Sequence, residues 1–277
     1  MSYYFSKEYL EEPFISFMKE IGKIEYYKCV KCGFVFSKTH SELSHKVWEK
    51  LNNDWHHYEE FEKTKRYNNI KSHTALPFHS STGNPPPYLE QVTMLNVLYI
   101  NGIIDLSDIL DFAGGYGTAS KILQKYFNFE MKVYDPYVHD NIIDYTNYYR
   151  GDKHKSVFNS AMFEHITKRD DLEILNDLVD DDGCLILHTV ICERIPDDPD
   201  WFYFGVVHCA FHTNKSMEIL MQQWNYSCSI YCPKSKCWVL FKKESDLRLE
   251  KINLINMELQ NNYLYYKKGF LDYWKGF

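Results

Sequence analysis

From residue 105 onward the chain alternates short apolar runs with amphipathic stretches. Asp108-Ile-Leu-Asp111 reads as a strand entering a glycine turn, and residues 118–127 read as the helix beyond it. Met131-Lys-Val-Tyr134 is a second strand, ending at Asp135. Residues 156–161 form a third, leading into a helix over 168–179. Asp180-Asp-Asp-Gly183 predicts a turn, and Cys184-Leu-Ile-Leu-His-Thr-Val190 a buried strand. A helix at 215–223 and strands at 226–231 and 237–242 complete the run. Alternating β and α units predict a mostly parallel sheet covered on both faces, because crossover helices must pack on it. The last two strands, joined by a short loop, predict an antiparallel pair at the sheet edge. Upstream, Leu89, Val92, Leu95, Val97 and Leu98 fall at helical spacing and predict a helix over 88–101. Downstream, residues 244–277 read as an amphipathic helical extension packed on the outside.

Residues 1–75 differ in character, being rich in Lys, Glu, His and aromatics. Phe78-His-Ser-Ser-Thr-Gly-Asn-Pro-Pro-Pro87 then favours an extended connector, since each proline fixes φ and restrains its predecessor. The expected organisation is therefore an N-terminal segment at 1–85, a central α/β domain at 86–243 and a C-terminal extension at 244–277. The N-terminal part is expected to be a small α+β appendage.

The net charge of −7 argues against a nucleic-acid footprint, which needs a basic surface. No run of about 18 apolar residues is present, so no membrane span is expected. The first residues lack a basic flank followed by an apolar stretch, so no secretory signal is expected and the reading is cytoplasmic. The eight cysteines are accordingly expected as reduced thiols.

The sharpest motif is Asp111-Phe-Ala-Gly-Gly-Tyr-Gly117, set between a strand and a helix. Glycines there allow a tight turn and close backbone approach to a ligand. The helix beyond offers unpaired N–H groups and a positive dipole end. Asp135, at the end of the next strand, is placed to accept bonds from both hydroxyls of an adenosine ribose. An acid before the turn suits a cationic ligand better than a pyrophosphate, whose charge it would repel. NAD or FAD is the alternative ligand, and a non-catalytic cofactor-fold module the alternative to an enzyme.

The segment resembles the first motif of class I S-adenosylmethionine-dependent methyltransferases, with Ala113 where that pattern has its first glycine. Phe158-Asn-Ser-Ala-Met-Phe-Glu-His-Ile166 and Asp180-Asp-Asp-Gly-Cys-Leu-Ile-Leu187 are similar to that family's fourth- and fifth-strand segments. The resemblance covers residues 105–242. It implies a Rossmann-like sheet, S-adenosylmethionine as cofactor, and a cofactor site at Asp111, Ala113, Gly114, Gly115, Gly117, Asp135, Pro136 and Ser160.

Asp200-Trp-Phe-Tyr-Phe-Gly-Val-Val-His208-Cys-Ala-Phe-His212 is similar to a stretch in a bacterial subfamily that starts with a Cys-x-x-Cys segment and is linked to sugar and polysaccharide modification. This implies O-methylation of a sugar, sugar nucleotide or related small metabolite in surface polysaccharide biosynthesis, with C- or N-methylation as the alternative. It also implies that the stretch shapes the acceptor pocket. A homodimer is compatible with this reading. A neutral imidazole beside the donor can take a proton from an acceptor hydroxyl. His208 is the expected base, with His212 and His165 as substitutes. Trp201, Tyr203 and Glu164 are expected on the acceptor, the aromatics stacking on it.

Cys29-Val-Lys-Cys32-Gly has the form of a zinc knuckle, two thiols bracketing a tight turn. His40 and His45 would complete Cys-x2-Cys-x7-His-x4-His, but that central gap is short for a finger. A hairpin with two free thiols at Cys29 and Cys32 is the expectation, and zinc there the alternative.

Overall fold

The computed structural model describes residues 1–59, 87–138, 143–149 and 151–272. The expected connector at 78–87 lies outside these, apart from Pro87. In chain order the elements are β1 (Ser2–Lys7), α1 (Phe14–Met18), β2 (Ile24–Lys28), β3 (Val35–Ser37), α2 (Lys38–Ser41) and α3 (His45–His57). After them come α4 (Tyr88–Ile100), β4 (Ile109–Phe112), α5 (Thr118–Phe127), β5 (Lys132–Tyr134) and β6 (His154–Ser160). A 3-10 turn at Phe163–His165 leads to α6 (Arg169–Asp177), β7 (Val179–His188), β8 (Ile191–Cys192) and β9 (Ala210–Thr213). The chain closes with α7 (Asn214–Gln223), β10 (Cys228–Cys232), β11 (Cys237–Phe241), α8 (Asp246–Glu258) and β12 (Tyr265–Lys268).

The main sheet has the order β12-β10-β11-β7-β6-β4-β5. β5, β4, β6 and β7 are parallel, whereas β11, β10 and β12 run antiparallel. β4 and β11 are buried along their whole length, as strands covered on both faces must be. One face is covered by α4, α5 and α8 through Val92, Leu95, Leu98, Leu123 and Ile255. The other is covered by α6 and α7 through Leu172, Leu175, Met217 and Leu220. Each fully enclosed side chain of this kind contributes about 1.5–3 kcal/mol. Local signals set the helix ends: Ser44 accepts from the Val47 N–H to start α3, and Thr213 with Ser216 forms a reciprocal cap on α7.

Two expectations for this sheet need correction. Asp180–Gly183 is not a turn between elements but an outward bulge inside β7. His154 pairs with Val179 while Ser156 pairs with Cys184, so the extra residues loop out between them. Gly183 is required there, since a Cβ would stand 2.8 Å from the Lys155 carbonyl and 2.9 Å from that of His154. The segment after 244 is not wholly helical either. α8 stops at Glu258, and Tyr265–Lys268 adds β12 to β10, so the antiparallel group extends one strand further than expected.

The N-terminal strands form a second sheet, β1-β2-β3-β9-β8, with the chain that follows β7. Its core joins Tyr26 and Val35 to Trp201, Phe204 and Phe211. The N-terminal segment is thus tied into the stretch between residues 191 and 213. The Ser37 N–H donates to the Cys209 carbonyl at 2.7 Å, the Tyr9 hydroxyl to the Phe204 carbonyl at 2.6 Å, and Thr213 Oγ1 to the Cys32 carbonyl. No helix among the described residues is long and apolar enough to cross a membrane.

Candidate functional site

From β4 the chain passes to β5 on one side and then to β6 on the other, which opens a crevice at the carboxyl ends of these strands. Ligands of open α/β sheets lie at such a switch point. A cavity of about 630 Å³ occupies it here. Its floor is Asp111 on β4, Ala113, Gly114, Gly115, Tyr116 and Thr118 beyond it, and Asp135 and Pro136 after β5. Ser160, Glu164 and His165 follow β6, His188 and Val190 close β7, and Tyr203 and His208 come from the loop before β9.

The turn after β4 is built on left-handed backbone. Ala113 has φ 59°, Gly115 55° and Gly117 62°. A Cβ on Gly115 would meet nothing within 4 Å, so the space beside it is open to a ligand. A Cβ on Gly114 would stand 2.6 Å from Asp111 Oδ2, so that glycine lets the turn close over the carboxylate. Gly117 does not line the cavity. A Cβ there would overlap Ile143 Cδ1, and the residue starts α5. Its role is the turn, not contact. Ala113 carries the strain of a side chain in this region, about 1–2 kcal/mol. Ala113→Gly is accordingly expected to raise stability by about 1 kcal/mol in urea unfolding, the relief exceeding the entropy that glycine adds to the unfolded chain. A destabilised variant would contradict the assignment of strain.

Asp135 organises the turn. Its Oδ2 accepts from the Gly115 N–H at 2.8 Å, and its Oδ1 from Tyr137 at 2.8 Å and Val138 at 2.7 Å. Asp111 is buried, and burial, followed by the charge of Asp135, pushes its carboxyl up to about 8. Unfolded, the same group titrates near ~3.9. The folded state therefore keeps a proton that the unfolded state releases, and this contribution to stability is lost as pH rises from about 4 to about 8. Asp111→Asn is expected to abolish this decline, so the urea midpoint of the variant minus that of the wild type should grow from pH 5 to pH 8. Parallel curves would contradict the shift.

Polar atoms on the cavity wall lack partners among the described residues. These are Ser160 Oγ, His165 Nδ1 and His188 Nδ1, all buried. Burial, then Lys236, lowers His188 to about 3, and burial, then His208 and His56, pushes His165 well below its ordinary value. Glu164 is buried beside them. Its Oε1 accepts from the Tyr203 hydroxyl at 2.7 Å and its Oε2 from Thr189 Oγ1 at 2.9 Å. His208 Nδ1 lies 2.8 Å from the Tyr203 carbonyl. A carbonyl only accepts, so Nδ1 carries the proton and Nε2 of the neutral ring keeps a free lone pair. The His165 and His208 rings meet edge to face at 4.9 Å, and His56 lies 5.3 Å from His165.

Two predicted acceptor-side residues stand elsewhere. Trp201 is buried in the core shared by the two sheets, packed on Phe204 and Tyr203, and does not line the cavity. His212 sits on β9, where side chains alternate across the strand, and is enclosed between Phe34 and Phe163. Burial, then Arg169, lowers it to about 3. It supports the core and does not line the cavity.

The sequence reading missed one whole wall. His45, Trp48, Asn52, Trp55, His56 and Glu59, from α3 and the turn after it, line the cavity opposite the sheet. The signal was present as a helical i, i+4, i+7 repeat of Trp48, Asn52 and Trp55, but periodicity does not say what a face meets. Phe202 and His188 also line the cavity. In total five acidic side chains, Glu59, Asp111, Asp135, Glu164 and Asp171, line it against one lysine, Lys236, among the described residues, and Asp111 among them keeps its proton up to about pH 8.

Cys29 and Cys32 are free thiols in the β2–β3 turn, closed by the Gly33 N–H to the Cys29 carbonyl at 2.8 Å. The Cys32 backbone N–H, then that of Lys31, lowers the Cys29 thiol, whereas burial raises that of Cys32. No third His, Cys, Asp or Glu among the described residues joins them in a metal-sized cluster. His40 is engaged elsewhere, with Nδ1 2.6 Å from Ser37 Oγ and Nε2 3.0 Å from the Val206 carbonyl, and His45 faces the cavity.

No family profile matches the chain, and no curated protein matches it. Among solved structures it is similar to coclaurine N-methyltransferase bound to N-methylheliamine and SAH, with TM-score 0.38, 14% identity, and 76% of this chain and 77% of that one covered. It is similar to the magnesium protoporphyrin IX methyltransferase of Synechocystis PCC 6803 with bound SAH, at TM-score 0.42, 12% identity and coverage of 69% and 97%. It is also similar to the plantazolicin methyltransferase BpumL with a monoazolic desmethylPZN analog and SAH, at TM-score 0.44, 11% identity and coverage of 80% and 95%. Similarity at this level concerns the course of the chain and assigns no residue.

Proposed function

We propose that the chain is an S-adenosylmethionine-dependent methyltransferase acting on a hydroxyl oxygen of a small acceptor, a sugar or sugar nucleotide. The observation that carries this reading is the acidity of the cavity: five acidic side chains, of which Asp111 holds its proton up to about pH 8, and one lysine surround a glycine turn whose open side has room for a ligand. A sulfonium with its ammonium gains from such a wall, whereas a dinucleotide pyrophosphate is repelled by it. The residues fit an adenosyl donor. In this reading Asp135 takes a ribose hydroxyl on the remaining acceptor position of Oδ2, Gly115 gives the backbone clearance, Asp111 stands beside the cationic end, and the unpartnered Ser160 Oγ and His188 Nδ1 take polar groups of the ligand.

When bound, the donor supplies an electrophilic methyl group on sulfur. The protein contributes orientation and proton handling. Trp48, Trp55, Phe202 and Tyr203 give the acceptor aromatic faces on which a sugar ring stacks, and they exclude water. With its Nδ1 turned to the Tyr203 carbonyl, His208 leaves Nε2 to take the proton that the acceptor hydroxyl gives up on transfer. Alignment of oxygen, methyl carbon and sulfur is the larger part of the acceleration, because the reaction needs an in-line approach. Tyr203 positions both partners of this corner, His208 through its carbonyl and Glu164 through its hydroxyl. The surface-polysaccharide setting belongs to the same reading and rests on the resemblance of the stretch from Trp201 to His212.

The experiment is a transfer screen. The purified chain, incubated with S-adenosylmethionine and a panel of sugar nucleotides and free sugars, is expected to give a singly methylated, O-linked product by mass spectrometry. Transfer to an amine or a carbon instead would overturn the oxygen assignment, and hydride transfer with NAD would overturn the reaction class.

A further inference from the structure

Glu164, His165 and His208 each offer a ligand atom, and the three atoms lie within 4.8 Å of one another. Among the described residues no other His, Cys, Asp or Glu group does this. Each ligand is prepared in the way metal ligands are. The Glu164 carboxylate is fixed by hydroxyl donors, one on each oxygen, and keeps a lone pair on both. His208 donates its Nδ1 proton to a backbone carbonyl, the second contact that orients metal-bound imidazoles and leaves Nε2 to the ion. His165 Nδ1 is buried with no hydrogen-bond partner, an expensive omission for an atom with nothing to bind. Two histidines and one carboxylate on one side, with the cavity on the other, form a three-ligand set with open positions.

We infer that Glu164, His165 and His208 bind a divalent first-row transition-metal ion whose open position faces the acceptor. Ligand atoms around a tetrahedral zinc stand roughly 3.4 Å apart, so the corner contracts by up to about 1.4 Å on binding. Glu164 and His165 sit on the 3-10 turn after β6, and His208 sits in the loop before β9. The Cys209 N–H donates to the Glu164 carbonyl at 2.6 Å, which already holds these two segments together. The ion deepens the methyl-transfer reading of this cavity. An acceptor hydroxyl bound to it loses its proton to solvent near neutral pH, as water does on zinc, and the resulting oxygen attacks the methyl carbon while the carbon–sulfur bond breaks. With metal bound, the ion takes over the acidification assigned above to His208.

The test uses the full chain, stripped with chelator, and zinc or cobalt(II) chloride alone as the probe. Calorimetry is expected to show one equivalent of zinc, and cobalt a d–d spectrum without a thiolate charge-transfer band. His165→Asn and His208→Asn are expected to lose this equivalent. Tyr203→Phe, which keeps the ligands but frees the Glu164 carboxylate, should weaken binding by about 10–100-fold. The double variant Cys29→Ser/Cys32→Ser should keep it. S-adenosylhomocysteine binding and circular dichroism of each variant separate lost metal from lost folding. No metal bound by wild-type protein, or an equivalent that follows the cysteines and not the histidines, overturns the site. Wild-type protein that binds S-adenosylhomocysteine but takes up neither zinc nor cobalt overturns this inference alone, whereas wild-type protein that binds the metal but not S-adenosylhomocysteine overturns the donor assignment and leaves the site standing.

Discussion

Asp135→Ala is expected to reduce affinity for S-adenosylhomocysteine at least a hundredfold. Two effects act together. The ribose loses an acceptor that is buried and charged, and hydrogen bonds to such groups are worth about 1.5–3 kcal/mol each. The Gly115, Tyr137 and Val138 N–H groups also lose their shared acceptor, so the turn that shapes the donor pocket is no longer fixed. Asp135 Oδ1 already accepts two N–H bonds and Oδ2 one, so a ribose hydroxyl takes the remaining position on Oδ2, and loss of that one bond, at up to about 3 kcal/mol, already gives a factor of about 100. Asp135→Asn separates the two effects. One amide oxygen can still accept from Tyr137 and Val138, so the variant should fold with a melting temperature nearer the wild type while binding remains weak. Calorimetry and a thermal melt of both variants decide the matter, and unchanged affinity in the alanine variant would remove Asp135 from the site.

His208→Ala is expected to keep its affinity for S-adenosylhomocysteine within about threefold and to lose turnover by about 10²–10⁴-fold with an acceptor found in the screen. The ring packs on Tyr203 and His165, in the corner proposed for the acceptor, so the donor pocket should be undisturbed. A fall in donor affinity equal to the fall in turnover would mean that the ring only supports the fold. Unchanged turnover would mean that orientation suffices and no proton acceptor is needed there.

The donor half of the cavity was legible because its chemistry is local. A turn between a buried strand and a helix needs left-handed backbone, and Gly115 and Gly117 supply it, with Ala113 accepting the strain that glycine would avoid. Asp135 was legible for the same reason, since the residue ending a parallel strand faces the crevice wherever the sheet lies. The acceptor half was legible only in part, because it is assembled from distant segments. Trp48, Trp55 and His56 reach the cavity only because the N-terminal sheet pairs β3 with β9, and no local pattern around them reports that pairing. His188 ends an apolar run and reads as core, although it lines the wall. His212 shows the opposite error. It reads as a substitute base for His208, but His208 lies in a loop at the cavity and His212 lies on β9, enclosed between Phe34 and Phe163.

The misread elements have similarly physical causes. Tyr265-Tyr-Lys-Lys268 is an edge strand, and lysines are common on such edges, so nothing apolar set it apart from the amphipathic helix before it. Asp180-Asp-Asp-Gly183 does bend the chain, as its composition indicates. Pairing of β7 resumes on the far side of the bend, which makes a bulge of what reads as a boundary.

The central claim is that the crevice beyond β4 and β5 grips an adenosyl sulfur compound. It is tested most directly by titrating the folded chain with S-adenosylhomocysteine and, in parallel, with NAD. One equivalent of S-adenosylhomocysteine with no heat from NAD is the result expected. Saturable NAD binding, or no binding of S-adenosylhomocysteine by protein that melts cooperatively, would contradict it.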